Sequence, residues 1–304
     1  MRVGGASPIR TLLGIAVVVG VLGVTGPSHA ETGAIRIVIG GALAAPSGTS
    51  VDTQVALRIG VGLPVFQVLP NGTLGGGSIA TATFARWTDT VATSGFLPER
   101  TLMVFRLAGG LMVIAAGVST PNGLATSFSA TAPYQNLTGN WDLTTGPTPD
   151  DALVTFTYDT NPHIKGAELL RLVAGSALSS LASKSIPLVA SVDALRNVPI
   201  FEVTNNAKGA SIGALAGHSA FSIVGHASEF VQLRAVHLPV ANLFLLYGCA
   251  APVPGSAVAC LIGGTGFVTH VSGHASQVAG TLRKDAIAGV VDADLVLEMT
   301  LELP

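Results

Sequence analysis

The chain has 304 residues, 49% of them hydrophobic and only 11% charged, with a formal net charge of −2 and a mean hydropathy of +0.60. A typical soluble protein carries ~25% charged residues, so large apolar surfaces must be hidden in cores, between units or against a ligand. No basic run occurs, which argues against a nucleic-acid partner, and aromatic residues, at 5%, are too few for the two interface girdles of an outer-membrane barrel.

At the start, Arg2 and Arg10, the apolar run "TLLGIAVVVGVLGV" and the small-x-small "SHA" at 28–30 predict a secretory signal over residues 1–30. The apolar run is short for a membrane span, which needs ~20 residues. Cleavage after Ala30 would leave a secreted or periplasmic chain without an integral membrane segment. Losing Arg2 and Arg10 leaves thirteen basic residues against seventeen acidic ones, a net charge of −4.

Strand signals follow. "AIRIVIGG", "TQVALRIGVGLPVFQV", "TLMVFRLAGGLMVIAAGV", "ALVTFTYD", "HSAFSIVG", "NLFLLYG" and "ADLVLEMTLEL" are β-branched or aromatic runs bounded by Gly, Pro, Asn or Asp. Within the third, Ala108-Gly109-Gly110 reads as a hairpin turn. One stretch departs from this. "GAELLRLVAGSALSSLASKS", 166–185, spaces Leu169, Leu172, Val173, Leu178 and Leu181 at approximately helical intervals and predicts an amphipathic helix. "SVDALRN", 191–197, predicts a short helical turn.

An internal echo organises these runs. "LPVFQV", 63–68, returns as "VPIFEV", 198–203, at an offset of 135, with Glu202 replacing Gln67. The "LP" at 97–98 with Leu102 matches the "LP" at 238–239 with Leu243. Gly139 pairs with Gly280, and Leu153-Val154 with Leu295-Val296. These landmarks predict a duplicated, all-β, mainly antiparallel chain. Unit one covers 31–158, a helical connector 159–190 and unit two 191–304. Each unit offers six to eight short strands, enough for a sandwich or a small closed barrel.

Two cysteines occur, Cys249 and Cys260, in "YGCAAPVPGSAVAC". Folding about Pro254–Gly255 would set them opposite each other on adjacent strands, and in an exported chain such a pair predicts a disulfide. A catalytic thiol is the competing reading, but no basic residue stands near either cysteine in sequence to lower its pKa.

Within each unit, "GGGSIATATFARW", "MVFRLAGGLMVIAAGV" and "ATAPYQNLTGNW" (130–141) give a Gly-rich strand start, a hairpin and a glycine motif with Tyr134 and Gly139. "VSGHASQVAGTL" (271–282) repeats that motif with Gly273, Ala279 and Gly280. This layout resembles the barrel of allene oxide cyclases and plant dirigent proteins. The resemblance implies a β-barrel that binds a hydrophobic small molecule and guides its cyclisation or coupling. Their catalytic residues find no match here.

No metalloprotease, Walker A, Cys-x-x-Cys, dinucleotide or nucleophile-elbow motif occurs, and no cofactor is expected. The histidines are more informative. His218 and His226 are eight apart, and His270 and His274 four apart, so regular pairing places each pair on one strand face. Together with Glu202 they form the candidate ligand-binding set. A metal, a haem or a proton shuttle would suit four imidazoles, whereas four solvated strand histidines are the plainer alternative. Two functional expectations follow. The first is an exported barrel that binds an apolar small molecule, with cyclase or isomerase activity as an extension. The second is a structural or cell-surface assembly module, with a homo-oligomer as one form of it.

Overall fold

The computed structural model describes residues 32–45, 47–50, 55–89, 99–108, 111–121, 123–131, 137–160, 166–186, 190–224, 227–239, 243–250, 259–264 and 272–303. The first sheet holds β1 (Thr32–Ile39), β2 (Ser47–Ser50), β3 (Val55–Gln67), β4 (Ala80–Asp89), β5 (Glu99–Leu107), β6 (Met112–Thr120), β7 (Gly123–Ala130), β8 (Leu137–Thr145) and β9 (Ala152–Thr160). The second holds β10 (Gly166–Ala174), β11 (Ala182–Ile186), β12 (Ala190–Thr204), β13 (Ala207–Val224), β14 (Ala227–Leu238), β15 (Leu243–Ala250), β16 (Ala259–Gly264), β17 (Ser272–Ala279) and β18 (Leu295–Leu303). Neighbouring strands pair antiparallel. In each sheet the first strand pairs with both the last and the third, β1 with β9 and β3, β10 with β18 and β12. Each series therefore closes into an eight-stranded barrel, with β2 and β11 laid on the free halves of β3 and β12. Closure removes the edges that so apolar a chain would otherwise expose.

The helix expected over 166–185 is replaced by β10, a turn at 175–180 and β11, and residues 191–197 lie inside β12. The reason is a period of two. Leu170, Leu172 and Ala174 point into the second barrel, Leu169 is 54% exposed, and Val173 is buried outside the barrel against Ile287, Val290 and Val296. Strands β12 and β18 satisfy the backbone of β10 on both sides. A helical connector over 159–190 is thus not found, and the second sheet begins at Gly166.

The duplication is present down to single hydrogen bonds. Ile37 lies opposite Gln67, and Leu172 opposite Glu202, each residue 135 positions on. The amides of Gly40 and Gly175 donate to the carbonyls of Pro64 and Pro199, both at 2.9 Å. Gly41 and Ser176 adopt left-handed φ of 69° and 55°, and their amides donate to Asp151 Oδ1 at 2.9 Å and Asp294 Oδ1 at 2.8 Å. The later landmarks shift. Gly139 corresponds to Gly273 rather than Gly280. Both have positive φ, and a Cβ on them would stand 2.1 Å from Thr157 O and 2.0 Å from Thr300 O. Gly280 matches Gly146, because their amides donate to the carbonyls of Asp294 and Asp151. Val154 matches Leu297, which faces Leu172 as Val154 faces Ile37. Leu243 opens β15, the counterpart of β6, so it does not answer Leu102 of β5.

Barrel two has a longer excursion between Gly280 and Asp294 than barrel one has between Gly146 and Asp151. It lays Ile287 and Val290 over Val173 and Val296, and Lys208 fixes it by bonding Asp294 Oδ2 at 2.9 Å.

The barrels share a wall. Outward side chains of β3–β6, including Leu57, Leu102 and Ile114, meet Ala194, Leu233 and Leu246 of β12–β15 in one buried cluster. Each such Leu or Ile contributes ~1.5–3 kcal/mol on full burial. Glycine holes set the spacing. A Cβ on Gly248 would stand 2.5 Å from Ile114 Cγ2 and 2.6 Å from Leu102 Cδ1, and one on Gly263 would overlap Ser127 Oγ. Ser129 Oγ also donates across the boundary to the Ile262 carbonyl.

Candidate functional site

One mouth of barrel one holds an open cavity of about 80 Å³ whose described lining is entirely apolar. Its walls include Ile35 and Ile37 of β1, Val65 of β3, Leu107 of β5 and Val113 of β6. Its floor is aromatic. Phe156 meets Phe105 and Phe128 edge-to-face, with centroids 5.6 and 5.0 Å away, a geometry favoured by the ring quadrupoles. Below it, Trp141 closes the barrel. Its indole packs over Gly117, where a Cβ would stand 2.5 Å from Cζ2. Its Nε1 donates to the carbonyls of Ala116 at 3.1 Å and Ser127 at 3.2 Å. The cavity occupies the end opposite the Gly41–Asp151 cap, because β1 runs from it towards that cap.

A second cluster lies buried between the barrels. Asp89, at the end of β4, accepts from Arg196 Nε of β12 at 2.6 Å, and stands 4.0 Å from Arg100 Nη1 of β5 and 3.6 Å from His218 Nε2 of β13. The His218 ring stacks on Trp87 at 5.9 Å. Burial pushes His218 down to about 4, against the raising effect of Asp89, and Arg100 and Arg196 add to the lowering. Burial likewise lowers Arg100 to about 10. His218 is therefore neutral at neutral pH, and Asp89 is held chiefly by arginine. Four strands from both units supply this cluster, so local spacing could not reveal it.

The sequence-derived candidates do not converge. His218 is buried in the shared wall, and His274 is exposed on β17, four strands round the barrel from β13. His226 and His270 fall outside the described residues. Glu202 is exposed at the end of its pairing with β10, whereas its counterpart Gln67 is 5% exposed. Among the described residues no group of three or more His, Cys, Asp or Glu could hold a metal ion. Cys249 and Cys260 face each other on β15 and β16 and are disulfide-bonded. The apolar cavity lies in unit one, which supplied none of the candidates. Its only sequence signal was the density of inward Ile, Val and Phe at alternate positions.

No protein-family model matches the chain, and no curated protein matches it either. Among solved structures, the chain was aligned with a tryptophan-to-alanine mutant of the vaccine antigen transferrin binding protein B from Haemophilus parasuis Hp5. That alignment has 9% identity and a TM-score of 0.13, and covers 91% of this chain and 76% of the other. No helix among the described residues is long and apolar enough to cross a membrane.

Proposed function

We propose that this is an exported protein whose first barrel binds an apolar small molecule. The observation that carries the reading is the apolar cavity over Phe105, Phe128 and Phe156. Its size limits the occupant. Drug-sized ligands fill roughly 300–1,000 Å³, and a dry engineered cavity of ~150 Å³ accepts benzene. About 80 Å³ suits the end of an alkyl or isoprenoid chain, with the remainder of the ligand at the mouth. Export is supported by the amino-terminal signal pattern and by the disulfide. The likeness to allene oxide cyclases and dirigent proteins points to the same class of ligand. Cyclisation or isomerisation would require an acid or base, and the described cavity lining offers neither, so the proposal stops at binding.

The test is calorimetric titration of the full chain with 1-octanol, beside Val113→Phe, which fills the cavity from β6. We expect saturable binding by the native protein and at least tenfold weaker binding by the variant. Equal binding by a folded variant overturns the reading. A second reading, an assembly module, draws on exposed Leu169, Leu178, Leu282 and Val291 in the second half of the chain. A strictly monomeric protein in light scattering counts against it.

A further inference from the structure

The two copies differ inside the barrels, and one difference introduces charge. In barrel one, Met103 of β5 faces Ala115 of β6, both fully buried. The corresponding inward pair in barrel two is Arg234 of β14 facing Tyr247 of β15, exposed by 4% and 0%. The Arg234 stem runs over Gly217, where a Cβ would stand 2.7 Å from Cδ. One level along the same strands, Asp193, Ser219 and Gln232 lie side by side across β12, β13 and β14. Gln277 of β17 reaches across the barrel to donate to Gln232 Oε1. An inward polar layer therefore replaces the apolar filling of the first copy.

That layer is not satisfied from within. Arg234 Nε and Nη1 have no hydrogen-bond partner among the described residues, and the Tyr247 hydroxyl, set beside the guanidinium, meets no other group close enough to bond. The ion pairs formed among the described residues do not include Arg234. The carboxylate that acts on it, Asp193, is only half-buried and accepts from Ser219 Oγ at 3.3 Å. Burial pulls the guanidinium below its ordinary value and pushes the phenol above its own. Tyr247 is thus a neutral hydroxyl with a proton to donate. A buried cation without a bonded anion is costly, and several kcal/mol is the usual scale. A planar anion with two oxygens would satisfy the guanidinium fork.

We infer that the interior of barrel two is a second binding site, which takes a small organic monocarboxylate on Arg234 and Tyr247. The guanidinium pairs with the carboxylate, and the Tyr247 hydroxyl donates to one of its oxygens. Among the described residues Arg234 is the one cation that faces this layer, so a monoanion is favoured over phosphate. This site is separate from the cavity of barrel one and independent of any ligand bound there.

The experiment titrates the full chain with acetate, hexanoate and benzoate, each beside its neutral amide, and follows heat and thermal stability. We expect at least one carboxylate to bind saturably and its amide at least tenfold more weakly. Arg234→Met, which restores the residue of the first copy, should abolish carboxylate binding. Tyr247→Phe should weaken it by about tenfold, the scale of one charge-assisted hydrogen bond. Neither variant should affect octanol binding to barrel one. Failure of every carboxylate to bind, equal binding of acid and amide, or undiminished binding by folded Arg234→Met overturns the assignment. Should Arg234→Met fail to fold, loss of binding in Tyr247→Phe carries the test, and undiminished binding there overturns it.

Discussion

His218 gives the shared wall a defined acid weakness. In the unfolded chain an imidazole titrates near its ordinary 6.5, and in the folded protein burial lowers it to about 4. The difference is about 2.5 units, and at ~1.4 kcal/mol per unit it amounts to roughly 3–4 kcal/mol. The unfolded state takes up the proton first as pH falls. Stability from this residue is therefore fully present above pH 6.5, declines between about 6.5 and 4, and is constant below that. The charged groups facing the ring are Asp89, Arg100 and Arg196. A protonated ring would meet one carboxylate and two guanidinium groups, which is why Asp89 does not hold its proton. His218→Phe keeps a ring to stack on Trp87 and removes the titration. Urea unfolding of both proteins from pH 4 to 8 isolates the term, because carboxylates remote from this cluster contribute equally to each. At pH 8 the variant should lie within about 1 kcal/mol of the native chain, the worth of one polar contact. At pH 4 it should be the more stable by about 2–3 kcal/mol. Parallel stability profiles across that range would refute the reasoning.

Two further outcomes bear on the packing. Replacing Cys249 and Cys260 together by Ala should cost about 2–3 kcal/mol on a loop-entropy estimate, because the bond spans a separation of 11 residues. Reducing agent should lower the melting temperature of the native protein and leave that of the double variant unchanged. Gly248→Leu should cost about 1–3 kcal/mol by overpacking, since even its Cβ would enter the space of Ile114 and Leu102. Chemical denaturation measures it, and a loss below 0.5 kcal/mol would show that the barrels separate easily.

Much of the architecture was legible because strands advertise themselves by alternation and closed hairpins by their turns. The Cys249–Cys260 pair is the clearest case, with one Pro-Gly-rich turn between two strand runs. The misread helix shows where local pattern fails. Leu169, Leu172 and Val173 fit a helical stripe, yet "LLRLVAGSAL" repeats "AIRIVIGGAL" 135 residues earlier with Arg, Val, Gly, Ala and Leu in place. Comparison of the copies identifies the strand where periodicity alone does not. The histidine set failed for a different reason. Pairing parity gives a side chain's face but not its position around a closed barrel, and β13 and β17 lie on opposite sides. The Asp89 cluster was out of reach, since strand spacing carries no information about which wall meets the other barrel.

What the copies kept and what they changed separates scaffold from function. The kept features are backbone devices: the left-handed turns at Gly41 and Ser176 with their aspartates, the bulges at Gly62 and Asn197, and the close approaches at Gly139 and Gly273. These set barrel closure, and a side chain at either close approach would collide with the neighbouring strand. The changed features are fillings. Where barrel one sets Trp141 against Gly117 and Thr126, barrel two sets the disulfide at the positions of Gly117 and Thr126 and Ala275 at that of Trp141. A ring plug has been exchanged for a covalent one at the same level of the wall. Met103–Ala115 has likewise become Arg234–Tyr247. The outer faces of β3–β6 and β12–β15 are committed to one another, so neither barrel can vary there without weakening both. The interiors and the mouths are free of that constraint, and there the two halves have diverged, one towards an apolar cavity and the other towards a buried cation.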